Sequence, residues 1–128
     1  MAGKLEGKKI LVVDDDRDIR IAMEMALKDL GPEVVSVGDG NQAVKQIEEN
    51  EPDLVVLDMM LPKRSGFLVL ERIKRDREPG QKPFVIMVTG NLGNRHKIYA
   101  ERLGVDQYIT KPFRMNKLLE AITELLEE

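Results

Sequence analysis

The sequence has no cysteine and a single histidine, His96, which excludes disulfides, thiolate nucleophiles, Cys-ligated metals and multi-His metal sites. Nothing in it demands an oxidising compartment. No apolar run is long enough to cross a bilayer, and the polar start from Met1 to Lys9 lacks the apolar stretch of a secretory signal. A soluble, cytoplasmic protein without a membrane partner is the simplest expectation. Blocks of like charge are missing too: 20 Lys and Arg are scattered among 23 Asp and Glu, for a net charge of -3. Without a basic stripe, direct nucleic-acid binding is not expected. What remains is 128 residues, 42% hydrophobic and 34% charged, enough for one sizeable core but not for two. The expectation is one globular domain over residues 1–128.

The apolar pattern alternates between two periods. Lys9 to Val13 reads as a buried strand stopped by Asp14, Asp15 and Asp16. From Asp16 to Leu30, the residues Ile19, Ala22, Met23, Ala26, Leu27 and Leu30 follow helical spacing, and Gly31-Pro32 ends the run. Glu33 to Val37 is a second strand, Gly38-Asp39-Gly40 a turn, and Ala43, Val44 and Ile47 mark a second helix. Leu54 to Leu57 is a third strand ending at Asp58, and a loop with Pro62 and Gly66 leads to a helix with Phe67, Leu70 and Ile73 inward. After a charged stretch through Pro79-Gly80, Phe84 to Val88 is a fourth strand ending at Thr89; the loop from Gly90 to Asn94 opens a helix reaching about Leu103. Gln107 to Ile109 is a short fifth strand, followed by Lys111-Pro112 and a helix carrying Leu118, Leu119, Ile122, Leu125 and Leu126. Five βα units with near-continuous apolar strands predict a doubly wound parallel α/β sheet in three layers.

In such sheets ligands bind beyond the carboxyl ends of the strands. The polar residues at those ends are Asp14 and Asp15, then Asp58, then Thr89, then Lys111, whereas the second strand ends at Gly38. Carboxylates gathered at one rim repel unless they protonate or share a cation. An all-oxygen donor set favours Mg²⁺ or Mn²⁺, which keeps water positions open to phosphoryl oxygens. Beside such an ion a carboxylate can attack phosphorus, while an ammonium and a hydroxyl stabilise the transferring oxygens. Asp58, Lys111 and Thr89 match those three roles.

Four motifs stand in order along the chain: Ile10-Leu11-Val12-Val13-Asp14-Asp15-Asp16, Asp58-Met59-Met60-Leu61-Pro62 with Gly66, Val88-Thr89-Gly90, and Tyr108-Ile109-Thr110-Lys111-Pro112-Phe113. Together they resemble the receiver (CheY-like) domain of two-component response regulators, of the single-domain type, over about residues 8–126. The resemblance implies the flavodoxin-like (βα)5 sandwich with strand order 2-1-3-4-5. It implies that Asp58 accepts a phosphoryl group from a phosphohistidine of a histidine kinase or histidine phosphotransfer protein. It further implies that Asp15, Asp58 and the Met60 backbone carbonyl ligate Mg²⁺ directly, with Asp14 acting through water, and that Thr89 and Lys111 hold phosphoryl oxygens. Lys111-Pro112 is expected to be cis. Tyr108 resembles the aromatic that turns inward when Thr89 moves, altering the face of the fourth helix, fifth strand and fifth helix for a downstream protein target. Such a chain is a signalling domain that assists its own phosphorylation and dephosphorylation rather than an enzyme.

Plainer readings stand beside these. Asp16 fits an N-cap, and Tyr108 a half-buried strand aromatic. His96 is expected to be exposed on the fourth helix, without a role. Gly66 and Gly90 suit tight loops; the family often has an acidic residue before the first and Ala in place of the second. Met60 and Asn91 flank the acceptor at variable positions where acyl-phosphate lifetime is expected to be tuned. Ile21 and Met25 point away from the apolar stripe, either as scattered surface residues or as a dock for a phosphodonor helix. Two rival functions are a haloacid-dehalogenase-like phosphatase, suggested by Asp14-Asp15-Asp16 but not by Arg17-Asp18, and a pseudo-receiver that binds partners without phosphorylation. FMN binding is disfavoured because its phosphate wants Ser, Thr and Gly amides after the first strand.

Overall fold

The computed structural model describes residues 3–75, 77–78, 80–90 and 93–127. Strands and helices alternate strictly: β1 (Lys9–Val13), α1 (Arg17–Lys28), β2 (Glu33–Val37), α2 (Gly40–Asn50), β3 (Leu54–Asp58), α3 (Gly66–Lys74), β4 (Phe84–Gly90), α4 (Asn94–Arg102), β5 (Gln107–Lys111) and α5 (Met115–Leu126). All strand pairs are parallel and the order is β2-β1-β3-β4-β5, as the resemblance implies.

Because successive strand residues face opposite sides, each strand feeds two cores. Ile10 and Val12 of β1 pack with Met23 and Leu27 of α1 and Leu118 and Ile122 of α5. Leu11 and Val13 pack with Ala43 of α2, Val69, Leu70 and Ile73 of α3, and Ala100 of α4. Each fully buried Leu or Ile contributes about 2 kcal/mol. The sheet's centre, β3, is buried throughout. Asp58 thus stands at the end of a strand whose every residue is buried. No described helix is long and apolar enough to cross a membrane.

Capping follows the sequence. The Asp16 carboxylate accepts from the N–H groups of Asp18 and Ile19 at 2.9 and 3.3 Å, which starts α1 where the acidic triplet ends. Asp39 caps α2 through the Gln42 N–H at 2.8 Å, and Ser65 caps α3 through Leu68 N–H at 3.3 Å.

Several expectations need correction. Ala22 is exposed rather than part of the inward stripe of α1. It lines a hollow of about 480 Å³ with Ile19, Pro112, Phe113 and Met115, where α1 stands apart from the segment entering α5. α1 stops at Lys28, and Leu30 packs on the core from the turn beyond it. β4 runs two residues past Val88, and β5 two past Ile109, because the ladder pairs Thr89 with Thr110 and Gly90 with Lys111 whatever their side chains. His96 is half-buried, its ring stacked on Phe67 at 6.0 Å, rather than exposed.

Candidate functional site

The carboxyl ends of β1, β3, β4 and β5 bring the predicted residues to one rim. Asp14 follows β1 directly and is 2% exposed; Asp58, the last residue of β3, is 6% exposed; Thr89 on β4 is fully buried. Asp15 is exposed. One carboxylate oxygen from each of Asp14, Asp15 and Asp58 lies within 4.8 Å of the others. The Lys111 ammonium, at the end of β5, reaches across to Asp14 Oδ2 at 3.1 Å and Asp58 Oδ2 at 3.5 Å. It enters from the cis Lys111-Pro112 peptide that the motif implied; a second cis bond, Lys82-Pro83, lies at the opposite end of β4 and was not anticipated.

The loop after Asp58 turns back tightly. Met60 N–H donates to Asp58 Oδ1 at 3.2 Å, and Gly66 N–H donates to the Met59 carbonyl at 2.8 Å. The Thr89 hydroxyl donates to the Gly90 carbonyl at 3.2 Å, so it is at the rim but engaged with its own strand. Tyr108 is half-buried against the core on the α2, α3 and α4 side, and burial pushes its hydroxyl above the ordinary range. Ile21 and Met25 are 40% and 70% exposed on α1, as their spacing predicts. Asn91 and Pro79 lie outside the described residues.

Burial, reinforced by the Asp14 carboxylate, raises the Asp58 carboxyl above the usual aspartate range, against the opposing Met60 N–H and Lys111. For Lys111 burial works to lower the ammonium, but the hydrogen bond to Asp14 and the charges of Asp58 and Asp14 prevail and raise it. The sign for stability follows. A carboxyl whose folded pKa exceeds its unfolded one holds its proton more tightly in the fold, so it stabilises in acid, and stability falls as pH rises from the ordinary aspartate value through the raised one. Metal-free Asp58→Asn is therefore expected to melt higher than wild type at pH 7, with the advantage disappearing below about pH 4. Thermal melts in EDTA at both pH values check this; an Asn variant no more stable at pH 7 contradicts it.

The donor set fits a hard divalent ion: three carboxylates, no nitrogen or sulfur, and an exposed side at Asp15 open to water and phosphoryl oxygens. A cleft of about 530 Å³ lies at the other end of the sheet among Glu48, Asp53, Arg72 and Lys82 and holds none of the rim residues. The titratable groups converge instead at the rim. One rim contact went unread in the sequence: Arg20 Nη1 donates to the Asp14 backbone carbonyl at 2.6 Å. Its position on α1, next to exposed Ile21, carries no signal beyond that of any surface cation.

The family model of the response regulator receiver domain matches residues 10–123. The chain belongs to this family. Its receiver fold is similar to that of a CheY-like receiver domain protein from Methanospirillum hungatei JF-1, at 34% identity and TM-score 0.83 over 91% of each chain. It is similar to the receiver domain of Francisella response regulator 1452, at 28% identity and TM-score 0.84 over 93% of this chain and 96% of that one. A BeF3-activated DrrB receiver domain matches at 33% identity and TM-score 0.84, covering 94% of this receiver and 98% of its own chain.

Proposed function

We propose that this receiver domain accepts a phosphoryl group on Asp58 from a phosphohistidine of a histidine kinase or phosphotransfer protein, in a Mg²⁺-dependent reaction. The observation that carries the reading is the rim itself: three carboxylates crowded within 4.8 Å, two of which, Asp14 and Asp58, are bridged by the Lys111 ammonium. A pure binding surface has no use for so much repulsion.

Asp15, Asp58 and the Met60 carbonyl would hold Mg²⁺ directly and Asp14 through water; the ion would supply charge neutralisation for the transferring group. An Asp58 oxygen attacks phosphorus in line, the phosphorus–nitrogen bond breaks, and the imidazole leaves after taking a proton from solvent. The Lys111 ammonium passes from the Asp58 carboxylate to a phosphoryl oxygen. The Thr89 hydroxyl leaves the Gly90 carbonyl for another, and its movement opens space that Tyr108 follows inward. The α4-β5-α5 face changes with it and is read by a downstream protein. Ile21, Met25 and the apolar hollow beside Lys111 supply contact for the donor's helix. The similarity to a receiver activated by BeF3 supports the same reading.

Intact-mass measurement after incubation with Mg²⁺ and acetyl phosphate tests it. The wild type is expected to gain one hydroxylamine-labile phosphoryl adduct, and neither Asp58→Asn nor an EDTA-treated sample should gain it. A wild type without the adduct, or an Asn variant with the same one, overturns the proposal. Turnover of a phosphomonoester would instead support the dehalogenase-like alternative, and partner binding that ignores Asp58→Asn would support the pseudo-receiver.

A further inference from the structure

We propose that Arg20 is a positioning residue for the acidic rim: its guanidinium fixes the Asp14–Asp15 peptide and so aims the Asp15 carboxylate at the divalent cation, an inference that rests on the receiver reading above. β1 ends at Val13, so the Asp14 carbonyl lies beyond the sheet ladder and needs another partner. Arg20 Nη1 supplies it at 2.6 Å from the first turns of α1. The other polar atoms of Asp14 are also held: its N–H donates to the Val37 carbonyl at 3.2 Å, Oδ1 accepts from Asp16 N–H at 2.9 Å, and Oδ2 accepts from Lys111 at 3.1 Å. Because the peptide group is planar, fixing the Asp14 carbonyl also fixes the nitrogen and Cα of Asp15. Asp15 is the exposed member of the cluster, so its aim depends on its backbone more than that of buried Asp14 or Asp58 does.

A second observation points the same way. β2 ends at Val37, and a Cβ added at Gly38 would stand 3.1 Å from Arg20 Nη1. Gly38 is not among the residues in the left-handed region. Its missing side chain therefore serves clearance: it leaves the space through which the guanidinium reaches the Asp14 carbonyl. Arg20 and Gly38 form one device contributed by α1 and the β2–α2 turn.

The experiment is a Mg²⁺ titration followed by amide NMR shifts, on wild type, Arg20→Ala, Arg20→Lys, Gly38→Val and the double variant Arg20→Ala/Gly38→Val. Each is first confirmed folded by circular dichroism at the titration temperature. Arg20→Ala is expected to weaken Mg²⁺ binding about tenfold, the low end for losing a partner that orients a metal ligand. Arg20→Lys should recover part of the loss, since an ammonium can donate to the same carbonyl. Gly38→Val, which displaces the guanidinium while leaving Arg20 in place, should weaken binding in the same direction. The double variant should then be no worse than Arg20→Ala. Wild-type Mg²⁺ affinity in Arg20→Ala overturns the inference, even if that variant melts lower in EDTA, because the arginine is then only a structural brace. Additive losses in the double variant overturn it as well. A wild type that binds no Mg²⁺ overturns the receiver reading itself and this inference with it.

Discussion

Gly66→Ala is expected to lose phosphoryl acceptance and about 3 kcal/mol of stability, the upper part of the usual range for overpacking. The reason is space, since Gly66 is not among the residues of positive φ. A Cβ there would stand 2.3 Å from the Asp58 carbonyl oxygen and 2.6 Å from Met59 Cα, both backbone atoms that no rotamer change can move. Gly66 opens α3 and its N–H is bonded to the Met59 carbonyl, so α3 and the end of β3 press together at this point. Relief requires either the end of β3 or the start of α3 to shift by about an ångström, and Asp58 sits on the first of these. Urea unfolding should show the lost stability, and the intact-mass assay on the folded fraction the lost adduct. A variant with wild-type stability and full adduct would show that the loop yields without moving Asp58.

Lys74→Met is expected to cost about 3 kcal/mol while leaving phosphoryl acceptance by folded molecules intact. The Lys74 ammonium is nearly buried and donates to Asp106 Oδ2 at 2.9 Å and to the Pro83 carbonyl at 3.0 Å. Asp106 in turn accepts from Val85 N–H at 2.7 Å, and its own N–H donates to the Val85 carbonyl at 2.9 Å. The pair thus ties the end of α3 to the starts of β4 and β5, opposite the rim. Methionine keeps the volume but leaves the Asp106 carboxylate without its counterion, and an uncompensated buried charge is the costly part of such a change. Adding Asp106→Leu to Lys74→Met removes that charge and should recover part of the loss. Chemical denaturation of the two variants decides it; a single variant as stable as wild type would mean that Asp106 finds water when the ammonium goes.

Much of the fold was legible because each apolar run has one period and each break has a cause. Val13 meets three aspartates, Leu30 meets Gly-Pro, and Leu57 meets Asp58. The acidic rim was legible for the same reason, since strand ends are fixed by where apolar runs stop. What escaped detection depends on contacts across the chain. Ala22 satisfies helical spacing, but a methyl group is too small for its burial to be dictated by pattern. Thr110 and Lys111 belong to β5 because β4 offers them backbone partners, a matter of ladder rather than side chain. His96 is drawn into the fold by Phe67, on whose ring it stacks across α3 and α4, a contact between residues distant in sequence. Arg20 escaped because its partner is a backbone carbonyl, which a sequence cannot display.

Lys111 also sets the site's tolerance for successive occupants. The three rim carboxylates and this ammonium leave two units of negative charge, the amount a single divalent ion cancels. Converting the Asp58 carboxylate into an acyl phosphate adds about one further negative unit. The proposed cycle therefore moves the rim from minus two to neutral and then to about minus one, never far from balance. Without the ammonium each stage would carry one more negative charge: minus three, minus one and about minus two. Lys111 is thus a fixed counterweight, of equal use to the empty, loaded and phosphorylated forms.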